Sequence, residues 1–160
     1  WEVKAVPDSG GAGKWRGGIA LSHQVQPIDH DMRLIYCGTG HTWPPFGLFG
    51  GSVGTVADHW LLDHETGDVQ QHLENMGETT CTSYQEWYAV TGGGGGLGNP
   101  LERDPKKVRD DARDGFITLE AARTKYGVVL DTKPECYAVD YPETEALRKS
   151  IATEHLELAQ

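Results

Sequence analysis

Residues 91–105 read Thr91-Gly92-Gly93-Gly94-Gly95-Gly96-Leu97-Gly98-Asn99-Pro100-Leu101-Glu102-Arg103-Asp104-Pro105: a glycine run, then almost at once a helix start. Without side chains the run can adopt positive φ and let another backbone or a ligand come close. Ordering it costs entropy, so a folded chain that keeps it uses it. Asp104 is a good N-cap, and Pro105 suits the first helical turn. Val108 and Ala112 then share one helical face, and Gly115 stands where a helix-ending glycine belongs. Thr118 caps a second short helix, with Leu119, Ala122 and Tyr126 on one face and Gly127 at its end. Val128-Val129-Leu130 reads as a short strand. A final helix begins at Pro142 or Glu143, with Leu147, Ile151 and Leu158 as a thin stripe and Glu145–Lys149 as a favourable i,i+4 pair. So thin a stripe suits docking on a partner or a sheet.

Before the run the pattern is that of strands and turns. Trp1, Val3 and Ala5 alternate with polar residues, as in a strand. Pro7-Asp8-Ser9-Gly10-Gly11 is a turn by local rules. Lys14 to Val25 reads as a second strand interrupted at Gly17-Gly18, with Ile19, Leu21 and His23 on one face; a glycine pair there suggests a bulge or close backbone approach. Pro27 to Asp31 turns the chain, and Met32 to Cys37 is a further strand. Gly38 to Gly54 is an irregular loop whose aromatics, Trp43, Phe46 and Phe49, must be buried in this subunit or in a neighbour. Strands follow at 59–63, 69–73 and 84–90, with a turn at 65–68. The expected fold class is α+β: a β-rich N-terminal half with Gly-rich loops (residues 1–100), then a helical C-terminal third (residues 101–160) of the same domain. No internal repeat is visible.

The chain has 160 residues, enough for one domain, or a domain and an arm, burying roughly 70% of its unfolded surface. Its 21 glycines and 8 prolines favour turns and β structure over a helical bundle. The net charge of −10 argues against nucleic acid and anionic membranes as partners. No apolar run is long enough to span a bilayer, and no signal peptide is visible. Cys37, Cys81 and Cys136 are an odd set without Cys-x-x-Cys spacing, which suits reduced thiols in the cytoplasm. The first residue is Trp1; a bulky second residue protects an initiator Met, which leaves room for a disordered start ahead of it.

Two candidate sites emerge. The loop Gly92, Gly93, Gly94, Gly95, Gly96 could form an anion nest of backbone N–H groups. It lacks the Gly-Lys-Ser/Thr of a phosphate loop, and the next helix starts several residues on. Close packing of chain segments is therefore the favoured reading, with no cofactor held by this chain. Cys37 and His41, with His23, His30, His59, His64 and Cys81 nearby in sequence, could hold zinc, but Cys37-x3-His41 is at most half of such a site. There is no Gly-x-Ser-x-Gly elbow. The pairs Asp110/Asp111 and Asp58/Asp63 are read as helix surface and turn, so no catalytic residue is assigned.

The collected blocks resemble the C-terminal part of the hydantoinase B/oxoprolinase family. Asp8-Ser9-Gly10-Gly11-Ala12-Gly13-Lys14-Trp15-Arg16-Gly17-Gly18 is similar to the family's Asp-Ser-Gly-Gly segment. Pro44-Pro45-Phe46-Gly47-Leu48-Phe49-Gly50-Gly51 is similar to its Pro-Pro loop. Gly92 to Pro105 resembles its glycine loop and Pro-Leu-Glu-Arg-Asp-Pro run. Ala121-Ala122-Arg123 and Tyr126 to Leu130 follow in order. Residues 57–90 match least. At 37–40, where the family usually carries a charged run, this chain reads Cys-Gly-Thr-Gly, so no charged role is carried over there.

The resemblance implies a subunit of an ATP-dependent complex. A hydantoinase A-like partner would bind ATP and Mg and activate the substrate by phosphorylation, and a larger hydantoinase B-like subunit would complete the reaction in a hetero-oligomer. The short length is most like the acetophenone carboxylase arrangement, implying a small subunit of a biotin-independent ketone carboxylase (ketone, bicarbonate and ATP to a β-keto acid), supporting rather than catalytic alone. The alternatives are a subunit of a hydantoinase/5-oxoprolinase-type cyclic amidohydrolase and a purely structural assembly subunit.

Overall fold

The computed structural model describes residues 1–131 and 137–158, the side chains only as far as residue 154. It is α+β, with strands first and helices last. Strands β1 (Glu2–Val6), β2 (Ala20–Val25), β4 (Asp58–Asp63), β5 (Val69–His72) and β7 (Gln85–Val90) form a sheet in the order β1-β2-β7-β4-β5. All its pairings are antiparallel. Strands β3 (Met32–Cys37) and β6 (Met76–Cys81) form a separate antiparallel ribbon. The ribbon packs on the sheet through Leu61, Leu73 and Cys81, flanked by Met32, Leu34, Tyr36 and Trp87.

Helix α1 (Pro105–Arg113) starts at Asp104, whose side chain accepts from the Lys106 N–H. Gly115 follows in the left-handed region at φ 77°, as the sequence pattern requires. Helix α2 (Leu119–Thr124) is capped by Thr118 Oγ1, which accepts from the Ala121 N–H. Helix α3 (Tyr141–Leu158) closes the chain after the short pair β8 (Leu130–Asp131) and β9 (Ala138–Val139). Val108, Ala112, Ile117, Ala121, Ala122, Tyr126 and Val128 make the helical core, joined by Ala12 from the first glycine segment. In α3 the Glu145–Lys149 pair forms at 2.7 Å, while Leu147 and Ile151 are half-buried. Leu158's side chain and Cys136 lie outside the described residues.

Several local expectations change. Regular strand begins only at Ala20; Lys14 to Ile19 is irregular, with a single bridge from Trp15 to Leu97. The inward face of β2 is Ala20 and Ser22, not the face of Leu21: the Ala20 N–H donates to the Oγ of buried Ser9, and Ser22 pairs with Lys4 of β1. Strand β6 was not expected: Met-Gly-Glu-Thr-Thr-Cys has a weak apolar pattern and is held by pairing with β3. Val128 and Val129 are not strand; their N–H groups donate to Ala122 O and Thr144 Oγ1, tying α2 to α3. β1 forms where its alternation predicts, yet Trp1, Val3 and Ala5 stay exposed on an edge strand.

Candidate functional site

Between sheet and helices lies a lattice of three glycine-rich segments, near residues 9–18, 45–55 and 92–98. Thr55 N–H donates to Ser9 O and Ser52 N–H to Ala12 O, while Gly93 N–H donates to Thr55 O and Gly96 N–H to Ser52 O. The bonds recur every third residue, the repeat of an extended spiral with three residues per turn, where a strand would repeat every second. A Cβ on Gly93 would lie 2.0 Å from Ser9 O, and one on Gly96 2.1 Å from Ala12 O. Side chains are excluded here by neighbouring backbone, which explains the composition of all three segments.

This packing decides what the glycine loop offers to an anion. The N–H groups of Gly93, Gly94, Gly96, Leu97 and Gly98 donate to the carbonyls of Thr55, Gly18, Ser52, Trp15 and Leu48. A phosphate would have to compete with those bonds.

Asp111 fastens the lattice to the helices. It is buried, not a helix-surface residue as its position beside Asp110 suggested, because two arginines reach it, Arg16 from the lattice and Arg103 from just after its last segment. Arg16 bonds both of its carboxylate oxygens at 3.2 and 3.3 Å, and Arg103 Nη2 donates to Oδ2 at 2.7 Å. Arg103 Nη1 donates to Lys14 O, and Arg148 Nη2 from α3 donates to Arg103 O. Burial holds the Arg148 guanidinium below its ordinary pKa, opposed by nearby Asp104. Burial likewise pushes the Tyr126 hydroxyl up; this hydroxyl and Arg103 Nε are buried without a hydrogen-bond partner among the described residues. Sequence reasoning missed this centre, although both arginines stood in quoted motifs, Trp-Arg-Gly-Gly and Leu-Glu-Arg-Asp-Pro.

A second candidate is a groove of about 560 Å³ between ribbon and sheet, within the usual range for a small-molecule site. It brings together Cys37, His41, His23, His59, Tyr36 and Trp87. His59 Nε2 lies 2.8 Å from Glu74 O; a carbonyl only accepts, so this nitrogen carries the proton. The His59 ring meets Tyr36 edge-on at 4.8 Å and His41 at 4.9 Å. His41 folds back over Gly38, and Cys37 is exposed. Cys81 is buried in the ribbon core, and that burial raises its thiol pKa. His64 and His72 pair instead with Glu86 and Asp58 on the exposed part of the sheet. Among the described residues no group of three His, Cys, Asp or Glu side chains could hold a metal ion, and none of their helices is long and apolar enough to cross a membrane.

Residues 1–100 match the hydantoinase B/oxoprolinase family. The chain is 41% identical to the acetophenone carboxylase delta subunit of Aromatoleum aromaticum, over 92% of this chain and 25% of that protein. It is 32% identical to the caprolactamase subunit beta of Pseudomonas jessenii, over 79% of this chain and 22% of the relative. A solved nucleotide-free acetone carboxylase, studied for ATP-dependent acetone carboxylation, shares the fold at a TM-score of 0.70 and 23% identity, over 97% of this chain and 25% of that one. The chain thus spans about a quarter of the length of these relatives.

Proposed function

Because the chain belongs to the hydantoinase B/oxoprolinase family, we propose that it works as the glycine-lattice module of a B-type subunit in an ATP-dependent, biotin-independent ketone carboxylase complex. The observation that carries this is its 41% identity to the acetophenone carboxylase delta subunit across nearly its whole length. In this reading a hydantoinase A-like subunit binds ATP and Mg, and the larger part of a B-type fold completes the site. This chain's own contribution is support: in its glycine run the N–H groups of Gly93, Gly94, Gly96 and Gly98 are bonded within the lattice. In this reading the complex works in the cytoplasm, where ATP is supplied.

A second reading, a cyclic amidohydrolase, draws on the relationship to caprolactamase subunit beta. One experiment separates them. The assembled complex is supplied with ATP and either acetophenone or acetone plus bicarbonate, or caprolactam and hydantoins. Ketone-dependent ATP hydrolysis with β-keto acid formation is expected. Turnover of cyclic amides alone would transfer the assignment to the second reading.

A further inference from the structure

Three glycine-lattice segments meet in one row. Trp15 bridges to Leu97, and Leu97 bridges to Leu48. These residues are 56%, 41% and 49% exposed, and the neighbouring Phe49 is 86% exposed. The row is rigid, because Leu48 N–H donates to Gly96 O, Gly98 N–H donates to Leu48 O, and Trp15 and Leu97 exchange both of their backbone hydrogen bonds. Exposed apolar side chains on so fixed a backbone, with the Lys107 ammonium 4.8 Å from the Trp15 ring centroid at one end, are what a docking surface needs, since little freedom is left to lose on binding.

Phe49 adds an independent observation. Gly51 N–H donates to Leu48 O at 3.0 Å, closing a four-residue turn. Its central residues, Phe49 and Gly50, both have positive φ, 50° and 91°. Such a turn calls for Asn, Asp or Gly at its first central position. A phenylalanine there is strained, and its side chain gains almost no burial within this chain. Strain kept at an exposed aromatic points to what the ring touches elsewhere.

We propose that the row Trp15, Leu97, Leu48 and Phe49 is the surface on which the rest of a B-type fold docks. This rests on the reading above that the chain works as a module of a B-type subunit. The relatives supply the occupant: in each of them the matching region is only about a quarter of a longer chain, so the apolar row faces a B-type body several times its size.

The test mixes the purified chain with the B-type body of the same organism, expressed as a separate polypeptide, and measures affinity by calorimetry. Phe49→Asn relieves the turn and removes the ring. It is expected to raise the Tm of the chain by about 3 °C while weakening docking about tenfold or more. Trp15→Ser should weaken docking similarly, and Tyr84→Ser, exposed on a distant turn, should leave it unchanged. Wild-type binding that both row variants leave intact would overturn the surface while sparing the subunit reading. Failure of the wild-type chain to bind at all would sink the subunit reading itself. Self-association of the chain, abolished by Phe49→Asn, would make a second copy the occupant and overturn the proposal.

Discussion

Asp111 is the residue on which the connection between lattice and helices depends. It faces two guanidinium groups with its side chain about nine-tenths buried. Replacing a hydrophobic residue would leave a void; replacing this one leaves two buried cations short of their anion. Asp111→Asn should therefore cost about 3–5 kcal/mol, read as a lower urea midpoint with an unchanged slope. A midpoint within error of wild type would mean that water already satisfies both arginines. The glycines make a sharper contrast, because two glycines of the same lattice differ completely in their surroundings. A Cβ on Gly93 would strike Ser9 O at 2.0 Å, whereas one on Gly18 meets nothing within 4 Å. Gly93→Ala should abolish soluble expression or lower stability by more than about 3 kcal/mol, since the obstructing atom is backbone that cannot rotate away. Gly18→Ala should stay within about 0.5 kcal/mol of wild type. Equal effects from the two would show that the lattice tolerates expansion.

Turns and caps set the register of the larger elements. Between β4 and β5 the Asp63 carboxylate accepts from the Thr66 and Glu65 N–H groups and from Gln70 Nε2. The Thr66 N–H above all, and the Glu65 N–H with it, hold its pKa below the ordinary carboxylate value. A carboxyl whose folded pKa is depressed contributes stability above its unfolded pKa and loses it as pH falls through the folded one. Asp63→Ala should thus lower Tm near neutral pH, and the gap to wild type should close on acidification to about pH 2. A gap that persisted there would assign the effect to packing. Elements such as α1 and α2 were legible in the sequence because their determinants are local: Asp104-Pro105, Thr118, Gly115 and Gly127. β6 was not, since its Gly-Glu-Thr-Thr core acquires strand geometry only from β3, over forty residues earlier. The glycine lattice lay between these cases. Its need for close approach could be read from composition, but not that Gly93 meets Ser9 or that Gly17 meets Gly94. Asp111 was unreadable for the same reason, as its partners come from different segments. The histidine groove was half visible: Cys37 and His41 were singled out, while His23 and His59 join them only through sheet pairing.

At the scale of the whole molecule, two cores of unequal size flank the lattice. The helical core contains Val108, Ala122, Tyr126 and Val128, all nearly inaccessible, and includes Ala12 of the lattice itself. Among the described residues, the ribbon core has only Leu61, Leu73 and Cys81 buried. Burial of apolar area is the main source of local stability, so the β3–β6 ribbon should open without the rest. The lattice belongs with the helices, since Asp111, Arg103 and Arg148 bind it to α1 and α3. Native-state hydrogen exchange in low denaturant distinguishes the two ends. The amides of Leu34 and Thr79 should exchange through a sub-global opening at lower free energy than those of Ala112 and Ala122. The backbone N–H groups of Gly94 and Gly96 should follow the helical set, because they are bonded inside the lattice to Gly18 and Ser52. Lattice amides exchanging with the ribbon instead would show that the glycine segments belong to the sheet's cooperative unit. The arginine cluster would then be a local clamp, without a share in the global core.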